Sequence, residues 1–218
     1  MRRQTNNYHF SVEGETEIYY LNHLSMLINS DDNRECNVKF RIRKTNPKSF
    51  VKGTPTLGQV NFYHVTDVES LDEYHINDFK SQLSEMKDAK TEISTKVKEY
   101  YLGYTNFTFE LWMILHKKDC NRRFNHRSNY LTEINSAFNK AYDSLDDFKK
   151  EREFKSILNE ITLEDVKEAI RRSNTIIRNL EQDGYRKMEY KGYEYYHENP
   201  SLSLHEVVSK ILTESGLI

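Results

Sequence analysis

Over its first half the chain alternates runs whose apolar residues recur at every second position with longer runs of helical period. No other feature limits the fold as much. Residues 7–12 (NYHFSV) put Tyr8, Phe10 and Val12 on one side of a strand and His9 and Ser11 on the other. Residues 37–43 set Val38, Phe40 and Ile42 against Lys39, Arg41 and Arg43. Residues 59–66 form a third strand ending at Asp67, and residues 97–104 (VKEYYLGY) a fourth. Between them lies a helix from Thr16 to about Asn29, carrying Ile18, Tyr20, Leu21, Leu24, Leu27 and Ile28, with Thr16 read as its N-cap and Glu17 suited to its dipole. A charged helical pattern runs from Leu71 to Met86 with a polar tail to residue 96. Strands separated by crossovers of that length pair in parallel, so the expected class is α/β, a parallel sheet flanked by helices. The segment 44–58 holds two of the three prolines and two of the seven glycines and reads as an exposed, mobile connection.

After a short apolar helix from Phe109 to about Lys118, helical periodicity dominates. Helices are expected near 129–142, 145–159, 163–182 and 202–214, with the tyrosine-rich 185–196 as a loop or short strand. The implied division is a core over residues 1–118 and a helical lobe over 119–218 packed on it. Fifteen tyrosines and 11 phenylalanines among 218 residues supply a core and exclude a disordered chain. The formal net charge of −2 excludes a bulk electrostatic grip on nucleic acid or anionic lipid, so an anion site has to come from local clustering. Cys36 and Cys120 offer neither a zinc pair nor a disulfide framework, which suits a reducing cytosol. No apolar run reaches the length of a membrane span, and Met1–Thr5 lacks the apolar stretch of a signal peptide. The expectation is a cytoplasmic protein with no membrane contact.

Open parallel sheets collect ligands at the carboxyl ends of their strands, and here those ends are acidic. Glu13 follows the first strand, with Glu15 and Glu17 beyond it; Asp67 ends the third, with Glu69 and Asp72 following; Glu110 opens the helix after the fourth. Taken singly, each reads as a helix start or a solvated turn. Together they would repel one another in one crevice unless a cation intervened, and hard carboxylate oxygens suit Mg²⁺ or Mn²⁺ rather than zinc.

These residues resemble a known family. FSVEGETEIYYLNHL (10–24) is similar to the opening of Toprim-domain proteins of the RloB type: a strand, Glu-Gly-x-Thr-Glu, then a helix bearing aromatics. NFYHVTDVES (61–70) resembles their Asp-x-Asp strand end, with Glu69 in place of the second Asp. TNFTFELWMILH (105–116) resembles their Asn-Pro-x-Phe-Glu-x-Trp…His motif with Phe107 where Pro is usual, and ENPSLSLHEVV (198–208) their C-terminal Asn-Pro-Ser element. The resemblance implies a Toprim-like fold with a four-stranded parallel sheet. It implies Glu13 as general acid/base or metal-side glutamate, and Asp67 and Glu69 as metal ligands with Glu110 beside them. It also implies a Mg²⁺-dependent nuclease of prokaryotic anti-phage or restriction-linked clusters, often beside a partner ATPase. A topoisomerase would need a nucleophilic tyrosine in a separate domain, for which this length leaves no space; a primase-type nucleotidyl transferase would bring a zinc or nucleotide motif that is missing here.

A nuclease must still hold its DNA or RNA. HKKDCNRRFNHR (116–127) contains Lys117, Lys118, Arg122, Arg123 and Arg127 against the single acid Asp119, and directly follows the Glu110 helix. It serves either as a phosphate-binding surface or as a solvated loop between lobes. The Lys39/Arg41/Arg43 face is a second basic candidate, equally explained as edge-strand charge. The tyrosines of 185–196 read as core packing rather than base stacking. His116, four residues after Trp112, is either a phosphate contact or proton donor, or a histidine bonded within the lobe interface. The rival to the nuclease is a non-catalytic effector or regulatory subunit that docks on a partner ATPase. Oligomeric state is not legible.

Overall fold

The computed structural model describes residues 3–218; the two residues before them, included in the 1–118 core and in the Met1–Thr5 segment, lie outside the described residues. The first half runs β1 (Thr5–Val12), α1 (Glu15–Ser30), β2 (Asn37–Lys44), α2 (Pro47–Gly53), β3 (Val60–Asp67), α3 (Glu73–Glu92), β4 (Val97–Asn106) and α4 (Glu110–Leu115). The second half follows a 3₁₀ turn at Arg127–Asn129 with α5 (Tyr130–Phe138), α6 (Leu145–Lys149), α7 (Glu151–Leu158), α8 (Leu163–Gln182), a hairpin of β5 (Met188–Tyr190) and β6 (Tyr193–Tyr195), β7 (Ser201–Leu202) and α9 (Leu204–Glu214).

The chain is α/β, with a mostly parallel central sheet in the order β2-β1-β3-β4-β7. The first four strands pair in parallel. The sheet has five strands rather than the expected four, because β7 adds antiparallel to the end of β4 through Thr105–Leu202 and Asn106–Ser201. Two residues carry too little periodicity to be read as a strand, and only pairing with β4 defines them.

Strand alternation sets two layers. Tyr8, Phe10, Val12, Tyr63 and Val65 pack with Tyr20 and Leu24 of α1, Trp112 of α4 and Val208 and Ile211 of α9. Phe62, Tyr100 and Tyr104 face the other way, with Phe50 and Val51 of α2, Phe79 and Leu83 of α3 and Tyr195 of the hairpin. Because both faces are covered, His9 and Ser11 are buried as well as Phe10. At the outer edge, β2 exposes Lys39, Arg41 and Arg43. The first layer continues without a break into Phe138, Phe154 and Val166, so one apolar core joins residues 1–118 to 119–218.

Several local expectations are corrected. The N-cap of α1 is Gly14, not Thr16, whose hydroxyl instead donates to Glu17 Oε2 at 3.1 Å. A Cβ at position 14 would lie 2.5 Å from Glu17 Oε2, so a larger residue there would make the Glu17 carboxylate shift from its place. The 44–58 connection contains α2: Pro47 occupies the first turn, Asn46 Oδ1 accepts from the Ser49 N–H at 3.0 Å, and buried Phe50 and Val51 anchor the helix. The polar tail after Met86 stays helical to Glu92. The 129–142 helix stops at Phe138, where Asn139 turns left-handed (φ 50°), and the 145–159 helix is broken at Lys150 (ψ 132°).

Candidate active site

The order β2-β1-β3 means that the chain leaves β1 toward one edge of the sheet and returns on the other side at β3. The two strands part at their carboxyl ends, where crossovers run to opposite sides and a crevice opens. Glu13 follows β1 and Asp67 closes β3 on the two lips of that crevice. They meet: the Asp67 N–H donates to Glu13 Oε2 at 3.0 Å.

Two further carboxylates arrive from helix starts. Glu17 lies in the first turn of α1 and Glu110 opens α4; both are buried, at 4% and 1% exposure. Asp67 is gripped by the Thr105 hydroxyl at Oδ1 and by the Phe109 N–H at Oδ2 (3.1 Å). Glu110 Oε2 accepts from the Thr108 hydroxyl. Burial, and then the charges of Glu17, Glu110 and Glu13, push the Asp67 carboxyl well above the ordinary carboxylate range, against the Thr105 donor. Glu17 is pushed up to about 7, first by burial and then by Glu110 and Glu13, while its own backbone N–H and Thr16 pull the other way.

Among the described residues, one lysine is ion-paired with a member of this group. Lys149, the last residue of α6, places Nζ 3.0 Å from Glu110 Oε1 as an ion pair, off the line of a hydrogen bond. Burial opposes its charge, but Glu110, Asp67 and Glu17 outweigh burial and raise its pKa. On the α3 side, Gln82 donates to Glu13 Oε1, and its carbonyl lies 2.5 Å from Nε2 of the buried His64. A cleft of about 410 Å³ opens there, lined in part by Glu13, Lys44, His64 and Gln82. Among the described residues no three His, Cys, Asp or Glu side chains are arranged as they stand to hold one ion. The donor set is nonetheless all hard oxygen, and burial and mutual repulsion disfavour the ionised form of two of its members, Asp67 and Glu17, which is the penalty a Mg²⁺ or Mn²⁺ ion would relieve.

Glu13, Asp67 and Glu110 thus come together, and Glu17 joins them. Glu69 does not: it is exposed, its backbone turns left-handed (φ 60°), and its carboxylate pairs with Arg127 (3.1 Å) and His75 (3.2 Å). Of the basic segment, Lys117 pairs with Asp165 (2.9 Å), Lys118 with Glu133 (2.8 Å) and Arg123 with Asp183 (3.3 Å). Arg122 lies over the Phe124 ring and has no acidic partner among the described residues. His116 is buried, Nδ1 at 2.9 Å from Trp112 O and Nε2 at 3.2 Å from Tyr20 OH; burial pushes it down to about 4, so it is neutral. Tyr195 and Tyr196 are buried, as packing requires. In the C-terminal motif Asn199 exchanges hydrogen bonds of 2.9 Å with the Phe124 backbone, and Asn106 donates to His197 O at 3.0 Å. Sequence reasoning missed Lys149 and Gln82. Each sits in an ordinary amphipathic helix pattern, and nothing local marks its partner.

An α/β chain with acidic residues gathered where the strand order reverses defines the class. Within it, the chain belongs to the RloB-like protein family, whose sequence model matches residues 10–211. No curated protein and no solved structure matches it.

Proposed function

We propose that this protein is a divalent-metal-dependent nuclease of the Toprim type, hydrolysing phosphodiester bonds of DNA or RNA in prokaryotic anti-phage defence. The observation that carries the reading is the meeting of Glu13, Glu17, Asp67 and Glu110 at the strand switch point, with Asp67 and Glu17 poorly tolerated as anions without a cation. Glu13, Asp67, Glu17 and Glu110 are the residues that would hold Mg²⁺ or Mn²⁺. Such an ion supplies neutralisation of phosphoryl oxygens and a water acidified enough to attack at neutral pH. The protein's own part is orientation. The Asp67 backbone and Gln82 fix Glu13, Thr105 and the Phe109 N–H fix Asp67, and Thr108 fixes Glu110. Glu69, which the family pattern makes a ligand, would have to leave Arg127 and His75 to serve. Arg122, with no acidic partner among the described residues, is the member of the basic segment freest to meet a phosphate.

A second reading, a non-catalytic subunit docking on a partner ATPase, draws on Lys149, which already offsets Glu110, and on the pairing of Glu69 with Arg127. Titration of the full chain with Mn²⁺ by calorimetry, beside cleavage of single- and double-stranded DNA and RNA, separates them. The nuclease shows Mn²⁺ binding and cleavage that Glu13→Gln and Asp67→Asn each abolish. The docking subunit shows neither in any variant.

A further inference from the structure

We propose that Gln82 is a positioning residue: its side-chain amide, oriented by His64, sets the direction of the Glu13 carboxylate at the switch point. This rests on, and deepens, the nuclease reading above.

The amide has one satisfied orientation. Its nitrogen reaches two carboxylates, Glu13 Oε1 and, at 3.2 Å, Asp78 Oδ2; its oxygen reaches His64 Nε2 at 2.5 Å. An NH₂ group has two hydrogens for two anions, and a carbonyl oxygen is the acceptor an N–H requires. Turning the amide over would aim its oxygen at both carboxylates. That orientation requires a proton on His64 Nε2; Nδ1 lies 2.9 Å from the Ser11 hydroxyl and 3.2 Å from the Ser11 carbonyl oxygen. Ser11 Oγ is in turn 2.9 Å from the Tyr100 hydroxyl, which lies 3.3 Å from Pro47 O. The relay thus starts in the α2–β4 interior, crosses β1 and β3, and ends on Glu13 through α3.

Three features make this more than a satisfied polar core. The relay runs through a layer otherwise built of Phe50, Phe62, Phe79 and Leu83, where apolar side chains would pack without desolvating any polar group. His64, Ser11 and Tyr100 are buried, whereas Gln82 is half-buried at the rim of the cleft beside Glu13. The other oxygen of Glu13 is tied to the backbone of Asp67, so Gln82 is the side chain that completes the immobilisation of this carboxylate. Without it the Glu13 side chain regains rotamers that point its free oxygen elsewhere.

The test compares Gln82→Leu, His64→Phe, His64→Gln and the Gln82→Leu/His64→Phe double variant in the full chain, with Glu13→Gln as reference. Mn²⁺ affinity is read by calorimetry, kcat and KM by cleavage, and folding by circular dichroism. Gln82→Leu is expected to lower Mn²⁺ affinity and kcat by roughly tenfold to a hundredfold, the usual cost of losing a partner one step behind a ligand, with KM for the nucleic acid unchanged. His64→Phe does the same without touching Glu13, and His64→Gln, which keeps an N–H for the Gln82 carbonyl, recovers most of the loss. The double variant is no worse than Gln82→Leu alone, because both changes cut one chain. Losses that add, a raised KM at constant kcat, or a Gln82→Leu protein equal to wild type while Glu13→Gln is dead each overturn the positioning role and leave the nuclease reading standing. A Glu13→Gln protein that binds Mn²⁺ and cleaves like wild type overturns the nuclease reading, and the role of Gln82 falls with it.

Discussion

Asp67 is kept at a position where its charge is penalised twice, by enclosure and by three neighbouring carboxylates. An acid whose folded pKa lies above its unfolded value holds its proton more readily when folded, so ionising it at neutral pH costs stability. Asp67→Asn removes that charge and keeps an acceptor for Thr105, at the cost of the bond that Oδ2 accepts from the Phe109 N–H. In chelator-treated protein at pH 7.5 it should raise stability by about 1–2 kcal/mol, read from urea melts, while abolishing metal-dependent cleavage. A lower stability would mean that the hydrogen bonds to Asp67 outweigh its repulsion. Two histidines give the opposite slope. Burial pushes both His116 and His205 down to about 4. Between pH 6.5 and about 4 the unfolded chain binds protons there that the folded chain refuses, so their stability contribution is intact above 6.5 and is lost as pH falls through that window. Each contributes on the order of 3 kcal/mol to the acid loss. His205→Gln, at a ring whose Nδ1 lacks a partner among the described residues, should flatten the fall in urea midpoint between pH 7 and 5.

At the scale of elements, the 117–127 segment divides by what each residue faces. Lys117 and Lys118 are turned onto α8 and α5, Arg123 onto the end of α8 and Tyr185, and Arg127 toward Glu69. Counterion release rewards charges free to leave water for phosphate, not those already paired. Arg122→Ala should therefore weaken nucleic-acid binding and reduce the slope of log affinity against log salt by about one phosphate contact. Arg123→Ala should reduce it less, and neither should move the thermal melt by more than a degree or two, since exposed charges contribute little. Filter binding at several salt concentrations reads both. Equal and negligible binding by all three proteins would favour a docking role for the segment.

For the whole molecule, the shared core decides how the chain folds. Tyr20, Leu111 and Trp112 from the first 118 residues are buried in the same cluster as Phe154, Val166 and Val208 from the rest. Neither part can bury that surface alone. The intact chain should melt in one transition by both far- and near-ultraviolet circular dichroism. A chain cut after residue 118 should lose the near-ultraviolet signal and aggregate; a cut chain with native-like tertiary signal would show the first part to be self-sufficient. No helix among the described residues is long and apolar enough to cross a membrane.

How much of this the sequence carried follows from what is local. Period-two and helical periodicities are written by each element's own residues, so β1 to β4, α1, α3 and α8 were legible, as were the faces formed by Tyr8, Phe10 and Val12. Crossover lengths made the sheet parallel, and that alone put Glu13, Asp67 and Glu110 at strand ends. The helix inside 44–58, the breaks after Phe138 and at Lys150, and the pairing of β7 depend on neighbours that arrive from elsewhere in the chain. So does the make-up of the site. Glu17 joins because it lies in the first turn of α1, directly after β1, and Lys149 joins because α6 ends over Glu110. Glu69 is drawn off by Arg127 and His75, and Gln82 reaches Glu13 through α3. Periodicity reports which side of an element is buried. Which charge meets which is set by distance across the fold, and only the tertiary structure decides it.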